Sequence, residues 1–222
     1  MVKGARFTDN DIPVCPTTAL ALPSKLITYS EAKTIHSKSI RNNKDYFYDA
    51  FVCFYEDDQN FDGLENSVWY HPKKAYNILK HFKGIITPDF STYQDFPDPI
   101  KRMNTYRMRA FGYWFGTLCK KQVINNVRFG TEETYGYCFD GIEKGSIVAI
   151  GTVAGSPRRK ENRERVNKGL LEMVRRLKPK CIVIYGSSSF ECFEILKNDG
   201  VKILQFDSRT ASFFKNSGRS EK

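Results

Sequence analysis

The sequence predicts an α/β fold with a mostly parallel sheet of repeated strand–helix units, either doubly wound or curled into a partial barrel. Two observations support this prediction. Short apolar runs rich in Val and Ile recur along the chain without strict alternation, which is typical of strands covered on both faces. Segments with helical periodicity separate most of these runs. The lengths of the units vary too widely for their spacing to choose between the two architectures.

Six apolar runs predict strands, in chain order at residues 50–55, 84–87, 122–129, 146–150, 181–185 and 201–206. Four stretches carry an apolar helical stripe, at residues 75–82, 100–118, 166–177 and 191–198. Pro179 follows the third helix and Gly200 follows the fourth, as expected at helix ends. Ser188 and Glu191 have the spacing of a capping box, which predicts that Ser188 caps the fourth helix.

These elements divide the chain into three parts. Residues 1–48 contain Pro13, Pro16 and Pro23 without a sustained period, and we expect an irregular N-terminal cap or a small added strand pair. Residues 49–208 form the α/β domain. Residues 209–222 are polar and basic, and we expect a mobile tail. At 222 residues and 41% hydrophobic content, the chain is long enough to bury a substantial core.

Composition excludes several classes of protein. No apolar run approaches the roughly 18–20 residues that span a bilayer, and the first residues lack the apolar stretch of a signal peptide. We therefore expect a cytoplasmic protein with no membrane partner. The six cysteines have no CxxC spacing, and several lie inside apolar runs. They predict reduced, buried thiols rather than a zinc site.

The excess positive charge lies in two segments. Between Arg158 and Lys180 there are ten basic residues against three acidic ones, and the last fourteen residues add four against one. The rest of the chain is neutral, because the formal net charge is +10. This distribution suits a polyanion such as nucleic acid. The residues predicted to contact it are Arg158, Arg159, Lys160, Arg175, Arg176 and Lys178.

A solvated, self-paired helix is the alternative explanation for this charge. Glu161 and Arg165, Glu164 and Lys168, and Glu172 and Arg176 each stand four residues apart with the acid first. That order stabilises a helix. Seven positive charges remain after such pairing, so the polyanion hypothesis stays open beside the structural one.

The loops that follow the predicted strands carry many polar residues. In parallel sheets these loops meet at one edge, where ligands bind. The residues predicted to bind a ligand there are Ser91, Tyr93, Arg107, Asn126, Arg128, Thr152 and Ser187. We expect Asp89 to make a charge-assisted contact with Arg107 or Arg128, and Arg107 to need Asp89 or Asp95 as its partner. The loop at residues 151–156 offers small residues before a helix, which weakly favours a phosphate.

Carboxylates at this edge suggest a metal site. Glu56, Asp57, Asp58 and Asp89 would supply the oxygen ligands that Mg²⁺ or Mn²⁺ prefers. Asp57 and Asp89 would then be the catalytic residues of a metal-dependent phosphoester hydrolase or transferase. The alternative is that three acids at a strand end solvate a loop.

Several segments together resemble one protein family. They are GIITPDFSTYQDFP (residues 84–97), NTYRMRAFGYW (104–114), NNVRFG (125–130), CFDGIEKGSIVAIGT (138–152) and LKPKCIVIYG (177–186). The chain resembles the domain-of-unknown-function family number forty-four seventeen over about residues 50–207. Phe129 and Thr87 depart from the residues usual in that family. The resemblance implies a phage or mobile-element protein in a bacterial host cell, and it implies no established reaction.

Three functions follow from these observations. The first is a phage or mobile-element protein that binds nucleic acid. An extension of this hypothesis is that the protein also acts on phosphoesters. The second is a pocket protein that binds a nucleotide or a nucleotide-derived signal, of an anti-defence type, through Asp89, Arg128, Thr152 and Ser187. The third is a non-catalytic inhibitor of a host factor.

Overall fold

A computed structural model describes residues 1–42, 45–153 and 160–216. Seven parallel strands form one sheet in which spatial order follows chain order, from β1 to β7. The strands are β1 (Leu26–Thr28), β2 (Tyr48–Cys53), β3 (Phe82–Ile86), β4 (Gln122–Asn126), β5 (Ile147–Gly151), β6 (Cys181–Tyr185) and β7 (Ile203–Phe206). The sheet curls into a half-barrel. A doubly wound sheet requires a reversal of strand order, which is absent from these seven strands, so the partial barrel is the correct alternative.

Six α-helices occur in the described part of the chain. They are α1 (Tyr29–Arg41), α2 (Pro72–Leu79), α3 (Asp98–Tyr113), α4 (Lys160–Leu177), α5 (Glu191–Asn198) and α6 (Arg209–Asn216). A π-helical turn, Trp114–Leu118, continues α3. Only a 3₁₀ turn, Glu132–Gly136, lies in the connection between β4 and β5. Right-handed crossovers place the helices on one face of such a sheet.

The core has one layer on each face of the sheet, because side chains alternate along each strand. The layer under the helices consists of two apolar clusters. Val52 and Phe54 pack under α1 to α3 on the helix-covered face, and Val148 and Ile182 do so under α4 and α5. The opposite face forms a third apolar cluster. Its buried members are Phe51, Cys53, Tyr55, Ile86, Ile124, Ala149, Val183 and Tyr185. Burial on both faces explains the continuous apolar runs.

All six predicted strands and all four predicted helices are present, with shifts of a few residues at several ends. The six cysteines are free, and five of them are buried. The expectation for Ser188 was wrong. The N-cap of α5 is Phe190, whose side chain makes no capping hydrogen bond. The Ser188 hydroxyl donates to Gln205 on β7 instead.

Residues 1–48, expected to form an irregular cap or a small added strand pair, supply β1 and α1. A strand of three residues is too short to show a pattern. Helix α1 depends on a polar capping box between Thr28 and Glu31 rather than on an apolar stripe. At the other end, the expected mobile tail begins with α6. Residues 217–222 lie outside the described part of the chain.

Candidate functional site: a two-lobed cavity at the carboxyl edge

Two adjoining cavities open at the carboxyl ends of β2 to β5. The larger, the acidic lobe, has a volume of about 380 Å³ and is lined by Tyr55, Glu56, Asp57, Asp58, Asp89, Ser91, Tyr93, Arg128, Gly151 and Val153. The smaller, the basic lobe, has a volume of about 100 Å³. Its polar lining comes from Asp89, Thr92, Asn126, Arg128, Thr152 and Arg165. Asp89, Arg128 and Gly151 belong to both linings, so the lobes meet there.

An ion pair stands at this junction. The Arg128 Nη1 donates to Asp89 Oδ2 at 2.5 Å, and the two side chains are 22% and 13% exposed. The predicted contact of Asp89 is therefore made with Arg128. Because the pair is largely shielded from water yet faces both lobes, its charges act at short range on anything that enters.

Asn126 at the end of β4 holds this ion pair in place. Its Nδ2 donates to Asp89 Oδ1 at 2.7 Å, and its Oδ1 accepts from the Tyr55 hydroxyl at 2.9 Å. Its backbone N–H donates to Thr87 Oγ1 at 2.8 Å. Its carbonyl accepts from the fully buried Arg109 at 2.9 Å. Each polar group of Asn126 therefore has a protein partner, which fixes the orientation of Asp89.

Gly151 allows the wall of the cavity to close around Tyr55. A Cβ atom at this position would lie 2.5 Å from the Tyr55 ring, too close for any other residue without a shift of the ring. Burial, followed by the negative charge of Asp89, raises the pKa of Tyr55 well above its ordinary value. The hydroxyl therefore stays protonated and serves as the donor to Asn126.

The carboxylates of the acidic lobe have separate partners. Glu56 accepts the backbone N–H of Ser30 at 2.9 Å, and Asp57 accepts that of Gln59 at 2.9 Å. Asp58 is half-buried. Burial raises its pKa, as does the nearby charge of Asp89, against the opposing effect of hydrogen bonds from Ser91. Asp58 is thus partly shielded from water in the cavity wall, with Ser91 as its hydrogen-bond donor.

The expected metal site is not formed. Within the described ranges, no group of three His, Cys, Asp or Glu side chains is arranged to hold a metal ion. The carboxylate of Glu56 accepts a hydrogen bond from the start of α1, and Asp57 caps the 3₁₀ turn Asp58–Asn60. Asp89 forms an ion pair with Arg128. This arrangement of Glu56, Asp57, Asp58 and Asp89 gives no support to a shared cation, and the catalytic roles of Asp57 and Asp89 stay predictions.

Two arginines approach each other in the basic lobe. Arg165 on α4 is half-buried beside Arg128 on the loop after β4. Burial, and then the positive charge of Arg128, lower the pKa of Arg165. The Arg165 Nη2 also donates to Asn162 Oδ1 at 3.3 Å. Arg128 and Arg165 thus bring two guanidinium groups to this lobe, and a guanidinium group is a strong donor to an anionic oxygen.

The remaining predicted ligand residues divide between the cavity and the surrounding framework. Ser91, Tyr93 and Thr152 line the cavity. Arg107 does not. It pairs with Asp62 rather than with Asp89 or Asp95, and its guanidinium lies 3.9 Å from the centre of the Phe90 ring. Ser187 accepts a hydrogen bond from Thr152 through its backbone carbonyl at 2.9 Å and is absent from both linings.

Three basic residues of α4, Lys168, Arg175 and Arg176, are engaged in ion pairs. Glu164 contacts Lys168 at 3.2 Å, and Glu172 contacts Arg176 at 2.5 Å, as the spacing predicted. Arg175 also binds Glu172 at 2.7 Å, and these hydrogen bonds lower the pKa of Glu172 to about 2. Lys160 and Lys178 are exposed. Arg158, Arg159 and residues 154–157 of the small-residue loop lie outside the described residues.

Arg176 corrects another expectation. It was predicted to contact a polyanion, but its Nη1 donates to the carbonyl of Tyr135 at 2.7 Å and its guanidinium lies 5.6 Å from the centre of the Phe139 ring. Arg176 therefore joins α4 to the connection between β4 and β5. Cations in the last turn of a helix also stabilise its dipole. Part of the basic charge is thus structural.

Sequence reasoning missed three polar residues of the site, Tyr55, Thr92 and Arg165. Tyr55 ends an apolar run and looked like core. Arg165 was read as half of a helical ion pair. The order of the strands was the missing information, because it brings the loops after β2 to β5 side by side.

The architecture is that of an α/β half-barrel with a ligand-sized cavity at its carboxyl edge. The chain belongs to the family described as domain of unknown function (DUF4417), whose profile matches residues 8–207. It is 33% identical over 134 residues to the "Gene 1 protein" of Mycobacterium phage L5, covering 60% of this chain and 56% of the relative. It is 31% identical over 136 residues to the "Gene 1 protein" of Mycobacterium phage D29, covering 60% and 47%.

The chain therefore belongs to a phage-associated family, and its match spans about half the length of these curated relatives. No solved structure matches it significantly. None of the helices in the described part is long and apolar enough to cross a membrane.

Proposed function

We propose that the protein binds a small phosphorylated, nucleotide-like ligand in the two-lobed cavity. The observation that carries this proposal is the convergence of Arg128 and Arg165 on the basic lobe, beside a larger cavity whose opening includes an exposed tyrosine. A volume of about 380 Å³ lies within the roughly 300–1,000 Å³ of small-molecule sites. The position, at the carboxyl ends of parallel strands, is where such sites occur.

The two lobes offer different chemistry to the two halves of such a ligand. Arg128 and Arg165 would donate to phosphate oxygens in the basic lobe. Tyr93, 53% exposed at the mouth of the acidic lobe, would stack on a base. The fixed hydrogen bonds of Asn126 keep Asp89 on Arg128, which limits how far this guanidinium can turn. The site is therefore preorganised for the phosphate.

Isothermal titration calorimetry with nucleoside monophosphates tests the proposal. We expect saturable binding that weakens about tenfold or more in Arg128→Gln and in Arg165→Gln, because each change removes charged hydrogen bonds worth roughly 1.5–3 kcal/mol. Arg175→Gln is the matched control, since Arg175 lies on the same helix as Arg165 but is exposed and bound to Glu172. Its affinity should match that of the unaltered protein.

Loss of folding is checked by thermal melting, because Arg128→Gln leaves Asp89 without its cation. Arg165→Gln leaves that ion pair intact and provides an independent measurement. No heat of binding with any monophosphate, or equal loss in Arg175→Gln, would show that the cavity does not bind such ligands.

Nucleic-acid binding through α4 is the second candidate. It is favoured by the exposed lysines Lys160, Lys178 and Lys180. The ion pairs of Glu172 and the framework role of Arg176 weaken it. If Lys160, Lys178 and Lys180 each contact one phosphate, they contribute about −3 to the logarithmic salt slope for duplex DNA, at roughly 0.9 per phosphate contacted. Changing the three lysines to Gln should remove that contribution and leave nucleotide binding unchanged.

A further inference from the structure

We infer that the acidic lobe selects a base that presents two adjacent N–H donors, the pattern of guanine, with Asp58 as the specificity-determining residue. This inference rests on the proposed function, because it assigns the second half of the same ligand. It depends on three features of the lobe: a half-buried acid in the cavity wall, an aromatic side chain in the same lining, and a cation at the junction of the lobes.

Asp58 accepts hydrogen bonds from Ser91, and a carboxylate has about four acceptor positions, so positions remain for a ligand. Glu56 is occupied by the backbone of Ser30 and lies within 3.4 Å of the Asn60 amide. One oxygen of Asp57 is occupied by the cap of the 3₁₀ turn, and this residue is exposed. Asp58 is half-buried in the cavity wall next to Ser91, where water competes less for its hydrogen bonds.

A carboxylate and guanine match in geometry. The two oxygens of a carboxylate accept two parallel N–H bonds, and guanine offers N1–H and the N2 amino group side by side. Adenine offers an acceptor at N1, and its lone pair would face an anion. Hypoxanthine keeps N1–H and lacks the amino group. A site that hydrogen-bonds a polar group discriminates strongly against an analogue without it, because its own buried group is then left unpaired.

The acidic lobe would also attract a cationic amine. Arg128 at the junction opposes such a ligand, because it places a positive charge beside any cation that reaches Asp58. The neighbouring Tyr93 ring favours a planar base instead. A neutral, planar base with two N–H donors would hydrogen-bond to Asp58 and stack on Tyr93. It would place no positive charge beside Arg128.

Competition among three nucleotides tests this inference. Affinities for GMP, IMP and AMP are measured by calorimetry at pH 7.5 with the full chain. We expect GMP to bind at least about tenfold more tightly than AMP, with IMP between them, in line with roughly 1–3 kcal/mol for a bidentate contact. In Asp58→Asn, the preference of GMP over AMP should fall at least about tenfold, since an amide presents only one acceptor.

Glu65→Gln is the matched control, because Glu65 is an exposed acid of the same loop outside the cavity. It should keep the order of the three nucleotides. Equal affinities for GMP and AMP, an unchanged order in Asp58→Asn, or binding of spermidine in place of GMP would each overturn the inference while leaving the phosphate site to be judged by the arginine variants. Failure of all three nucleotides to bind would instead refute the proposed function.

Discussion

At the scale of single residues, a fully buried arginine explains the geometry of the site. Arg109 on α3 is fully buried and donates to the carbonyls of Asp140, Asn126 and Cys138 at 2.9–3.3 Å. Burial lowers its pKa to about 10, so it remains charged at neutral pH. It ties α3 to the end of β4 and to the segment before β5, directly behind Asn126.

Replacement of Arg109 should therefore destabilise the fold. Arg109→Met leaves three buried carbonyls without their donor, and we expect a loss of about 3 kcal/mol in the free energy of unfolding, or a fall of about 6–12 °C in Tm. Arg102→Met is the control, because Arg102 on the same helix is exposed and its ion pair with Asp98 is worth at most about 1 kcal/mol. Urea titration measures both. A loss in Arg109→Met no larger than that of the control would contradict this role.

Residue type alone did not distinguish Arg107 from Arg109. Arg107 and Arg109 lie two positions apart in one helical stretch, and sequence reasoning singled out Arg107 because of its apolar neighbours. Both are shielded, but they have different partners: a carboxylate from the loop after β2 for Arg107, and backbone carbonyls for Arg109. Such partners come from segments distant in sequence, so helical spacing could not identify them.

At the scale of elements, α4 carries basic residues of two kinds: some contact other parts of the fold, and others are exposed to solvent. Sequence spacing predicted two of its described ion pairs, because residues four apart face each other on any helix. It could not predict the contact of Arg176 with Tyr135, since this contact depends on how α4 packs against the loop after β4. Arg175 and Arg176 consequently have different roles, although they look equivalent in the sequence.

Alanine substitution should reveal this difference. Arg176→Ala removes a hydrogen bond to a backbone carbonyl and the contact with Phe139, and we expect a loss of about 1–2 kcal/mol. Arg175→Ala removes only an exposed ion pair, so it should cost less stability than Arg176→Ala. Each variant leaves Glu172 one arginine, so they are matched. Equal unfolding free energies from urea titration would show that the packing of Arg176 contributes nothing.

At the scale of the whole molecule, continuous apolar runs predicted the parallel sheet, and the order of its strands gives the half-barrel. The runs were visible because strands buried on both faces need apolar residues throughout. Strand order was not visible, because pairing depends on contacts between distant segments. The same order places the loops after β2, β3, β4 and β5 beside one another, and so turns scattered polar residues into one cavity.

The central claim is that this cavity, rather than the basic helix, is where the protein binds its ligand. Hydrogen–deuterium exchange with and without saturating GMP tests it most directly, because it reports on each segment separately. We expect slower exchange around residues 55–58, 89–93, 126–128 and 151–153, with no change in the last turn of α4 at Arg175 and Arg176. Protection confined to residues 160–180, or no protection anywhere, would contradict the claim.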